Sequence, residues 1–266
     1  MSLPSRIFFF IWFLFIHIYL GNAQIKNSNV NSTDTAISKT DIQEKIKPVS
    51  IKPLSLIIPG SMILYGVWAI NNDQLKKINT QIKNQVYPKN PDSKIYIDNY
   101  LQFAPAAAVL GLNLSGIKGK HCIRDAGMIY LMSNLILTGI TVPIKKTSRQ
   151  LRPDSSAFSS FPSGHTAEAF ASAELLSQEY RNVSPWIGIG GYSIAILTGY
   201  LRLHNNKHWF SDVVAGAGVG IISTKLSYLI YDRIQPKLFK NKSKSFSFLP
   251  TYQNGQLGFH FAKIIP

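Results

Sequence analysis

Long apolar runs without strict alternation dominate the chain from residue 54 onward. They cover residues 54–70, 100–116, 126–144, 186–203 and 213–231. Residues 165–180 also have a helical pattern, although they include Glu168, Glu174 and Glu179. Runs of this length without a period of two are typical of helices. The pattern predicts an all-α core, a six-helix bundle within residues 54–236.

A further segment, residues 73–86, is amphipathic. Leu75, Ile78, Ile82 and Val86 share one helical face, and lysine and glutamine occupy much of the rest. Such a helix either lies on a membrane surface or packs against the core. Core packing is the expected arrangement, because it is the more common reason for an apolar stripe.

The number of membrane spans stays open at this stage. A span needs about 20 predominantly apolar residues. Several of the runs approach this length but are rich in Gly, Ala, Ser and Thr, and the last contains Lys225. The segment 165–180 carries too much charge to face lipid. Small residues suit closely packed helices either in a membrane or in water.

The N-terminus has the features of a secretory signal peptide, residues 1–23. Arg6 precedes an apolar run over residues 7–20, and small residues at 21–23 predict cleavage before Gln24. An uncleaved anchor is the alternative. Residues 24–53 are polar and predict a linker.

The C-terminal tail, residues 237–266, is basic at first and then alternates. Phe246 and Phe248 alternate with serines, and Leu257, Phe259 and Phe261 alternate after Asn254–Gly255. Asn-Gly between alternating runs predicts a short β-hairpin-like tail with a type I′ turn. A disordered tail is the alternative. The catalytic domain is then expected within residues 54–236.

Charge and cysteine content narrow the classes of function. The formal net charge is +15, which suits nucleic acid, an anionic membrane or an anionic substrate. No nucleic-acid motif is present, so no nucleic-acid partner is predicted. Cys122 is the only cysteine, which excludes an intramolecular disulfide and is interpreted as an inert apolar residue. The Lys-, Ile- and Asn-rich composition is typical of bacteria.

Three short motifs carry the candidate chemistry. The first is Lys145, six residues, then Arg152–Pro153; the second is Pro162–Ser163–Gly164–His165; the third is Arg202, five residues, His208, three residues, Asp212. Together they supply three cations, two histidines and a carboxylate. This set can hold a phosphate dianion, attack it and protonate the group that leaves.

The phosphate-binding residues follow from the chemistry of the anion. Lys145 supplies a point charge, and Arg152 and Arg202 supply planar forks that grip two oxygens. Ser163 adds a hydroxyl, and Gly164 lets the backbone approach the phosphate at the start of a helix, where free N–H groups bind anions.

In these motifs the chain resembles the type 2 phosphatidic acid phosphatase and vanadium haloperoxidase superfamily. Two departures are visible: Leu201 stands where the family usually has Ser, and only eight residues separate Pro153 from Pro162. The resemblance implies a metal-independent phosphatase, with no cofactor and no metal ligands. The hydrophobic helices indicate a phosphorylated membrane lipid as substrate and a membrane as partner.

The resemblance also implies roles for the acid and base groups. His208 is then the nucleophile that forms a phosphohistidine. Asp212 orients the His208 ring. His165 is the general acid that protonates the leaving oxygen and then the base that activates water.

The leading hypothesis is a lipid phosphate or pyrophosphate hydrolase of a bacterial cell envelope. Candidate substrates are undecaprenyl pyrophosphate, phosphatidic acid, phosphatidylglycerol phosphate and the phosphates of lipid A. The expected location is the inner membrane with a periplasm-facing site, or a membrane-associated position in the periplasm. A soluble periplasmic non-specific acid phosphatase is the alternative, and a vanadium haloperoxidase a remote one. An inactive scaffold is disfavoured, because every acid/base group is present.

Signal cleavage and site location conflict in a simple topology. If the chain starts outside at residue 24 and six helices span, the loops with the motifs lie in the cytoplasm. Family members with six spans usually have the site on the outer face. At least one of three assumptions must therefore be wrong: cleavage of the signal peptide, the count of six spans, or the location of the site on the outer face.

Overall fold

The structure is a computed structural model that describes residues 54–87, 94–239, 246–253 and 256–263. The predicted signal peptide, the linker and the Asn254–Gly255 turn lie outside these residues. Within them the chain forms eight helices and two strands. The helices are α1 (Leu54–Asn71), α2 (Asp73–Val86), α3 (Asp98–Leu101), α4 (Ala104–Leu114), α5 (Ile123–Ser148), α6 (Gly164–Tyr180), α7 (Pro185–His204) and α8 (Phe210–Phe239).

Helix α6 lies at the centre of the bundle and packs on α4, α5, α7 and α8. Its small residues allow a close approach to α8. A Cβ atom at Gly216 would lie 2.5 Å from the carbonyl oxygen of Ser163, and one at Gly220 would lie 2.1 Å from that of Ala167. The two helices therefore run parallel, and both begin at the same end of the bundle.

The three carboxylates of α6 are buried, and each has a partner from another segment of the chain. Glu168 accepts a hydrogen bond from the Tyr130 hydroxyl. Glu174 pairs with Lys225 of α8 at 2.8 Å, and Glu179 lies 2.7 Å from the His121 ring. Buried charged and polar groups are tolerated when they are paired in this way. A helix too charged to face lipid thus occupies the interior.

Helix α1 runs antiparallel to α8. Gly66 lies against Phe161 and Ala215, whereas Pro59 of the same helix lies against Gly218. The C-terminal end of α1 is therefore at the end where α6 and α8 begin, and Leu54 is at the opposite end.

Three of the described helices are long and apolar enough to cross a membrane: Leu54–Asn71, Ile123–Ser148 and the portion Phe210–Gln235 of α8. Large side chains on two of them, such as Leu64, Trp68 and Leu135, are exposed outside the protein core. This distribution is typical of helices that face lipid. The chain therefore has the character of a membrane protein.

The all-α prediction for the core is confirmed, and a helix overlaps each predicted segment. Helix α2 packs on the core, because Asn79 and Ile82 are buried; Asn79 exchanges side-chain and backbone hydrogen bonds with Ser211. The four-residue helix α3 was not predicted. Cys122, interpreted as an inert apolar residue, is a free cysteine with an exposed side chain.

The tail forms two antiparallel strands, β1 (Phe246–Gln253) and β2 (Gln256–Lys263). Phe248 pairs with Phe261, and Gln253 pairs with Gln256 across the turn. The strands coincide with the two alternating runs of the sequence. The boundary between catalytic domain and tail at residue 236 stays a prediction, and α8 continues through it.

Candidate active site

The motif residues meet at one end of the bundle. This end is formed by the C-terminal ends of α5 and α7 and the N-terminal ends of α6 and α8. It brings together the eight residues expected from the sequence: Lys145, Arg152, Ser163, Gly164, His165, Arg202, His208 and Asp212. Leu201, where the family pattern has Ser, is buried in the core beside them.

The short connection between α5 and α6 is closed by its own backbone. Arg149 ends α5 in the left-handed conformation with φ of 43°. The Ser160 N–H donates to the carbonyl of Gln150, and the Arg152 N–H donates to that of Ala157. Lys83 of α2 also donates to the Pro153 carbonyl at 2.9 Å. These bonds make a compact loop that holds Arg152 at the site.

Ser163 and Gly164 form the predicted start of α6. Ser163 is the N-cap, and its Oγ accepts from the Thr166 N–H at 3.4 Å. Its own N–H donates to the Asp212 carbonyl at 3.0 Å. The Ser163 hydroxyl can donate to phosphate only if its O–H does not point to the Thr166 hydroxyl. A Cβ atom at Gly164 would lie 4.0 Å from Cε of Lys145, so the helix start faces this lysine.

The ammonium group of Lys145 is fixed by two backbone carbonyls. It donates to the Ser159 carbonyl at 2.8 Å and to the Pro162 carbonyl at 2.6 Å. An ammonium group has three donors. One N–H therefore remains for an anion next to the start of α6.

The two arginines also have donors that the described residues do not use. The Nε atoms of Arg152 and Arg202 are buried and make no hydrogen bond there. Arg202 donates from Nη1 to the carboxylate of Asp98. Buried guanidinium donors are costly unless they are paired, and a bound phosphate would pair them.

His208 and Asp212 are both buried, at 3% and 0% exposure. The Nδ1 atom of His208 lies 3.7 Å from Oδ2 of Asp212. The same oxygen accepts from the Ser160 hydroxyl at 2.5 Å and from the Trp209 N–H at 2.9 Å. Asp212 is therefore held firmly on the Nδ1 side of the ring, and Nε2 is the nitrogen left for chemistry.

The electrostatics of the site favour a neutral His208. Burial lowers the pKa of His208 to about 4, although the neighbouring Asp212 opposes the shift. A neutral imidazole has the lone pair that a nucleophile needs. His208 is therefore uncharged at neutral pH.

His165, the second residue of α6, points to the short helix α3. Its Nε2 atom lies 2.9 Å from Oδ1 of Asn99. Burial lowers the pKa of His165 to about 4, and the positive charge of Arg202 acts in the same direction. A phosphate dianion would counter the positive charges and favour the protonated ring.

The structure adds residues that the sequence analysis missed. Asp98 and Asn99 contact Arg202 and His165, and Ser160 contacts Asp212. Asp98 could have been noticed in the sequence, because it is a carboxylate within the apolar stretch 95–103. Ser160 had no comparable signal, because only the folded loop between α5 and α6 brings it to Asp212.

Metal-ligating side chains do not cluster among the residues that the structure describes. Within residues 54–87 and 94–235 no three His, Cys, Asp or Glu side chains form a group that could hold a metal ion. The polar groups at the site are mainly cationic donors, which suit an anion.

The fold and site define a helical protein with a buried histidine, His208, beside a cluster of cationic side chains. Residues 154–236 match the family model described as the PAP2 superfamily. The resemblance seen in the motifs is thereby confirmed, and the chain is related to this superfamily through that segment. The second and third motifs lie inside the match, and Lys145 and Arg152 lie just before it.

A relative and two solved structures extend the comparison. The chain is 43% identical over 144 residues to the lipid A 1-phosphatase of Porphyromonas gingivalis. This match covers 52% of the chain but only 31% of the relative.

The solved structures are more distant. The transmembrane PAP2 type phosphatidylglycerolphosphate phosphatase of Bacillus subtilis has a TM-score of 0.47 and 20% identity, over 66% of this chain and 97% of that one. LpxE of Aquifex aeolicus has a TM-score of 0.43 and 22% identity, over 57% of this chain and 92% of that one.

Proposed function

We propose that the chain is a metal-independent phosphatase that removes phosphate from a membrane lipid through a phosphohistidine intermediate. The observation that carries the proposal is the site itself. Lys145, Arg152 and Arg202 supply cationic donors beside a neutral His208 that is backed by Asp212. A phosphate ester needs both parts, one to hold the dianion and one to attack it.

In the first step, Nε2 of His208 attacks phosphorus while the bond from phosphorus to the leaving oxygen breaks. Asp212 stabilises the positive charge that develops on the His208 ring. His165 transfers a proton to the leaving oxygen. The lysine and the two arginines stabilise charge on the three equatorial oxygens. The products are a phosphohistidine and the dephosphorylated alcohol, or a lipid monophosphate where the substrate is a pyrophosphate.

In the second step, His165 removes a proton from a water molecule, which attacks phosphorus. The bond between phosphorus and Nε2 of His208 breaks, and inorganic phosphate leaves. His165 is then protonated and His208 neutral, so the site is ready for another ester. The same histidine therefore acts as the acid in the first step and as the base in the second.

A lipid substrate is supported by the character of the bundle. Three helices are long and apolar enough to span, so the site end lies near a membrane surface. Among the four candidate lipids, the 43% identity to a lipid A 1-phosphatase favours the phosphates of lipid A. The chain spans about a third of that relative, 31% of its length.

A panel of purified lipids tests the proposed function. The purified full chain is incubated with lipid A, undecaprenyl pyrophosphate, phosphatidic acid and phosphatidylglycerol phosphate, each with and without detergent. We expect phosphate release from at least one lipid and none from a His208→Ala control. Release from soluble esters alone, together with a protein that leaves the membrane without detergent, would support the soluble phosphatase instead.

We infer that the site faces the periplasm, as expected for an envelope lipid phosphatase. Because Leu54 lies at the end of α1 opposite the site, this orientation puts residue 54 on the cytoplasmic side if α1 spans. A signal peptide cleaved before Gln24 would start the chain outside instead.

A further inference from the structure

A short segment that belongs to none of the three motifs reaches two of the site residues. It comprises residues 94–103 and includes α3. Asp98 is fully buried and pairs with Arg202. The next residue, Asn99, places Oδ1 2.9 Å from Nε2 of His165.

We propose that Asp98 and Asn99 are positioning residues for the phosphatase reaction. Asp98 holds the guanidinium of Arg202, and Asn99 holds the ring of His165, each in the orientation in which it acts on the phosphate ester. The inference rests on the proposed function and adds two side chains to the machinery of that site.

The pairing of Asp98 with Arg202 leaves the binding edge of the guanidinium free. A guanidinium has five N–H donors in a rigid fork. Nη1 donates to Asp98, whereas Nε is buried without a partner among the described residues. An arginine anchored at one corner keeps its remaining donors in a fixed plane, which is what two phosphate oxygens require.

The segment itself is attached to the helix that carries Arg202. Asn205 donates from Nδ2 to the Ile95 carbonyl at 2.7 Å, and the Ile95 N–H donates to Oδ1 of Asn205 at 3.0 Å. Asn205 lies just past the end of α7. These two hydrogen bonds tie the segment 94–103 to the end of α7 and so keep Asp98 next to Arg202.

The contact of Asn99 with His165 defines which ring nitrogen does the chemistry. An amide oxygen accepts and cannot donate, so Nε2 of His165 carries a proton in this contact. Nδ1 is then the nitrogen that exchanges a proton with the leaving oxygen or with water. Asn99 thus does for His165 what Asp212 does for His208. Because the amide is neutral, it adds no charge that would repel the phosphate dianion.

Asp98 also acts on the charge of His165. The charged groups that act most strongly on His165 are Arg202 of α7, Asp98 of α3, Arg152 of the loop and Lys145 of α5. Among these four, Asp98 is the one carboxylate. Its negative charge supports the protonated ring that a general acid needs, against three cations.

The test of Asn99 compares an alkyl phosphate with an aryl phosphate, because only the poor leaving group needs an acid. Asn99→Ala should lower kcat on the alkyl phosphate about tenfold or more, and on the aryl phosphate less than about threefold. Asn99→Gln, which keeps a neutral amide acceptor, should lose less than Asn99→Ala on the alkyl phosphate.

Gln102→Ala is the matched control. Gln102 donates to the Asn99 backbone carbonyl at 2.8 Å, so this variant loosens the same turn without removing a contact to the site. It should affect both substrates equally and weakly. Equal losses on both substrates in Asn99→Ala, or a Gln102→Ala effect of the same pattern, would overturn the role of Asn99.

The test of Asp98 is the pH profile of Asp98→Asn. Loss of the carboxylate charge disfavours protonated His165, so the falling limb of kcat should move to lower pH, and kcat at neutral pH should drop. Because Asp98 also holds Arg202, KM should rise in the same variant. An unmoved limb together with an unchanged KM would overturn the role of Asp98. If the wild-type chain releases phosphate from neither these two esters nor any lipid of the panel, the proposed function fails too. If it turns over normally and the variants behave like Gln102→Ala, this inference alone fails.

Discussion

Nδ1 of His208 lies 3.7 Å from Oδ2 of Asp212, and this carboxylate also anchors the start of α8. Asp212 is the third residue of α8 and accepts from the N–H of Trp209, just before the helix. A carboxylate at this position caps a helix through the preceding N–H. One side chain therefore fixes both the helix start and the ring. The 3.7 Å separation is longer than a hydrogen bond, and we expect it to shorten when His208 becomes positively charged.

Replacement of the nucleophile should separate binding from chemistry. His208→Ala should abolish phosphate release while anion binding and fold largely persist, because the histidine forms the covalent bond and the cations hold the phosphate. Steady-state assays and protection by orthovanadate against thermal unfolding check the two parts.

His204→Ala is the control for that experiment. His204 is the last residue of α7, four residues before His208, and packs near Tyr200, with ring centroids 6.2 Å apart. The His204→Ala variant should retain activity within a few-fold of wild type. Turnover of His208→Ala within about tenfold of wild type would contradict the nucleophile assignment, because removal of such a group typically costs several orders of magnitude.

Metal removal and an anion analogue test the chemistry of the pocket. Activity should survive EDTA and fall with orthovanadate, which adopts the geometry of phosphoryl transfer among Lys145, Arg152 and Arg202. Phosphate release is measured after dialysis against chelator and after addition of divalent ions. Loss of activity on chelation, with recovery on addition of a divalent ion, would show metal-dependent chemistry.

His165→Asn should harm substrates with poor leaving groups most. The departing oxygen of an alkyl or diacylglyceryl phosphate is strongly basic and needs a proton, whereas an acidic phenol leaves without one. We expect a loss of about 100-fold or more on alkyl esters and a smaller loss on an aryl phosphate. Single-turnover rates on both classes check this. Equal losses would instead make His165 an anion ligand.

The pH dependence should differ between kcat/KM and kcat. In the free protein the pKa of His165 is lowered to about 4 by burial and by cations, so its acid form disappears as pH rises above this value. A bound phosphate dianion favours the protonated ring and raises this pKa. The falling limb of kcat should therefore lie at higher pH than that of kcat/KM, since kcat reports the complex and kcat/KM the free enzyme. Coincident limbs would contradict this role of the substrate.

The helices and the positions of the motif residues could be predicted from the sequence, because their signals are local. Apolar runs and the Ser-Gly helix start are local signals, and α6 begins at Gly164 as expected. Lys145, Arg152 and the two histidines were selected from three short motifs and their resemblance to the superfamily pattern, and the structure brings them to one end of the bundle. These features require no knowledge of how distant segments meet.

The sequence was not sufficient for contacts made by the long-range fold. Asp98 contacts Arg202, which is 104 residues further along the chain, and Ser160 contacts Asp212 across 52 residues. No periodicity records such pairs. Helix α3 was missed for a related reason: it has four residues, and its position depends on the buried Asp98 pair rather than on helix propensity.

The side of the membrane is the last prediction. The site end should face the periplasm, and the two ends of α5 offer matched reporters. Cys122 lies just before α5 and is exposed. Ser156 lies in the exposed loop beyond the other end of the helix. Because α5 has 26 residues and a helix rises about 1.5 Å per residue, the two positions lie on opposite sides if α5 spans.

Labelling of intact cells with a maleimide that crosses only the outer membrane decides the side. In Ser156→Cys combined with Cys122→Ala, we expect labelling before lysis. In the otherwise wild-type chain, Cys122 should react only after lysis, so each protein controls for the other. The reverse pattern would put the site in the cytoplasm, as a cleaved signal peptide followed by a spanning α1 requires. It would then exclude an outer-leaflet lipid as the substrate. Labelling of both before lysis would show that α5 does not span.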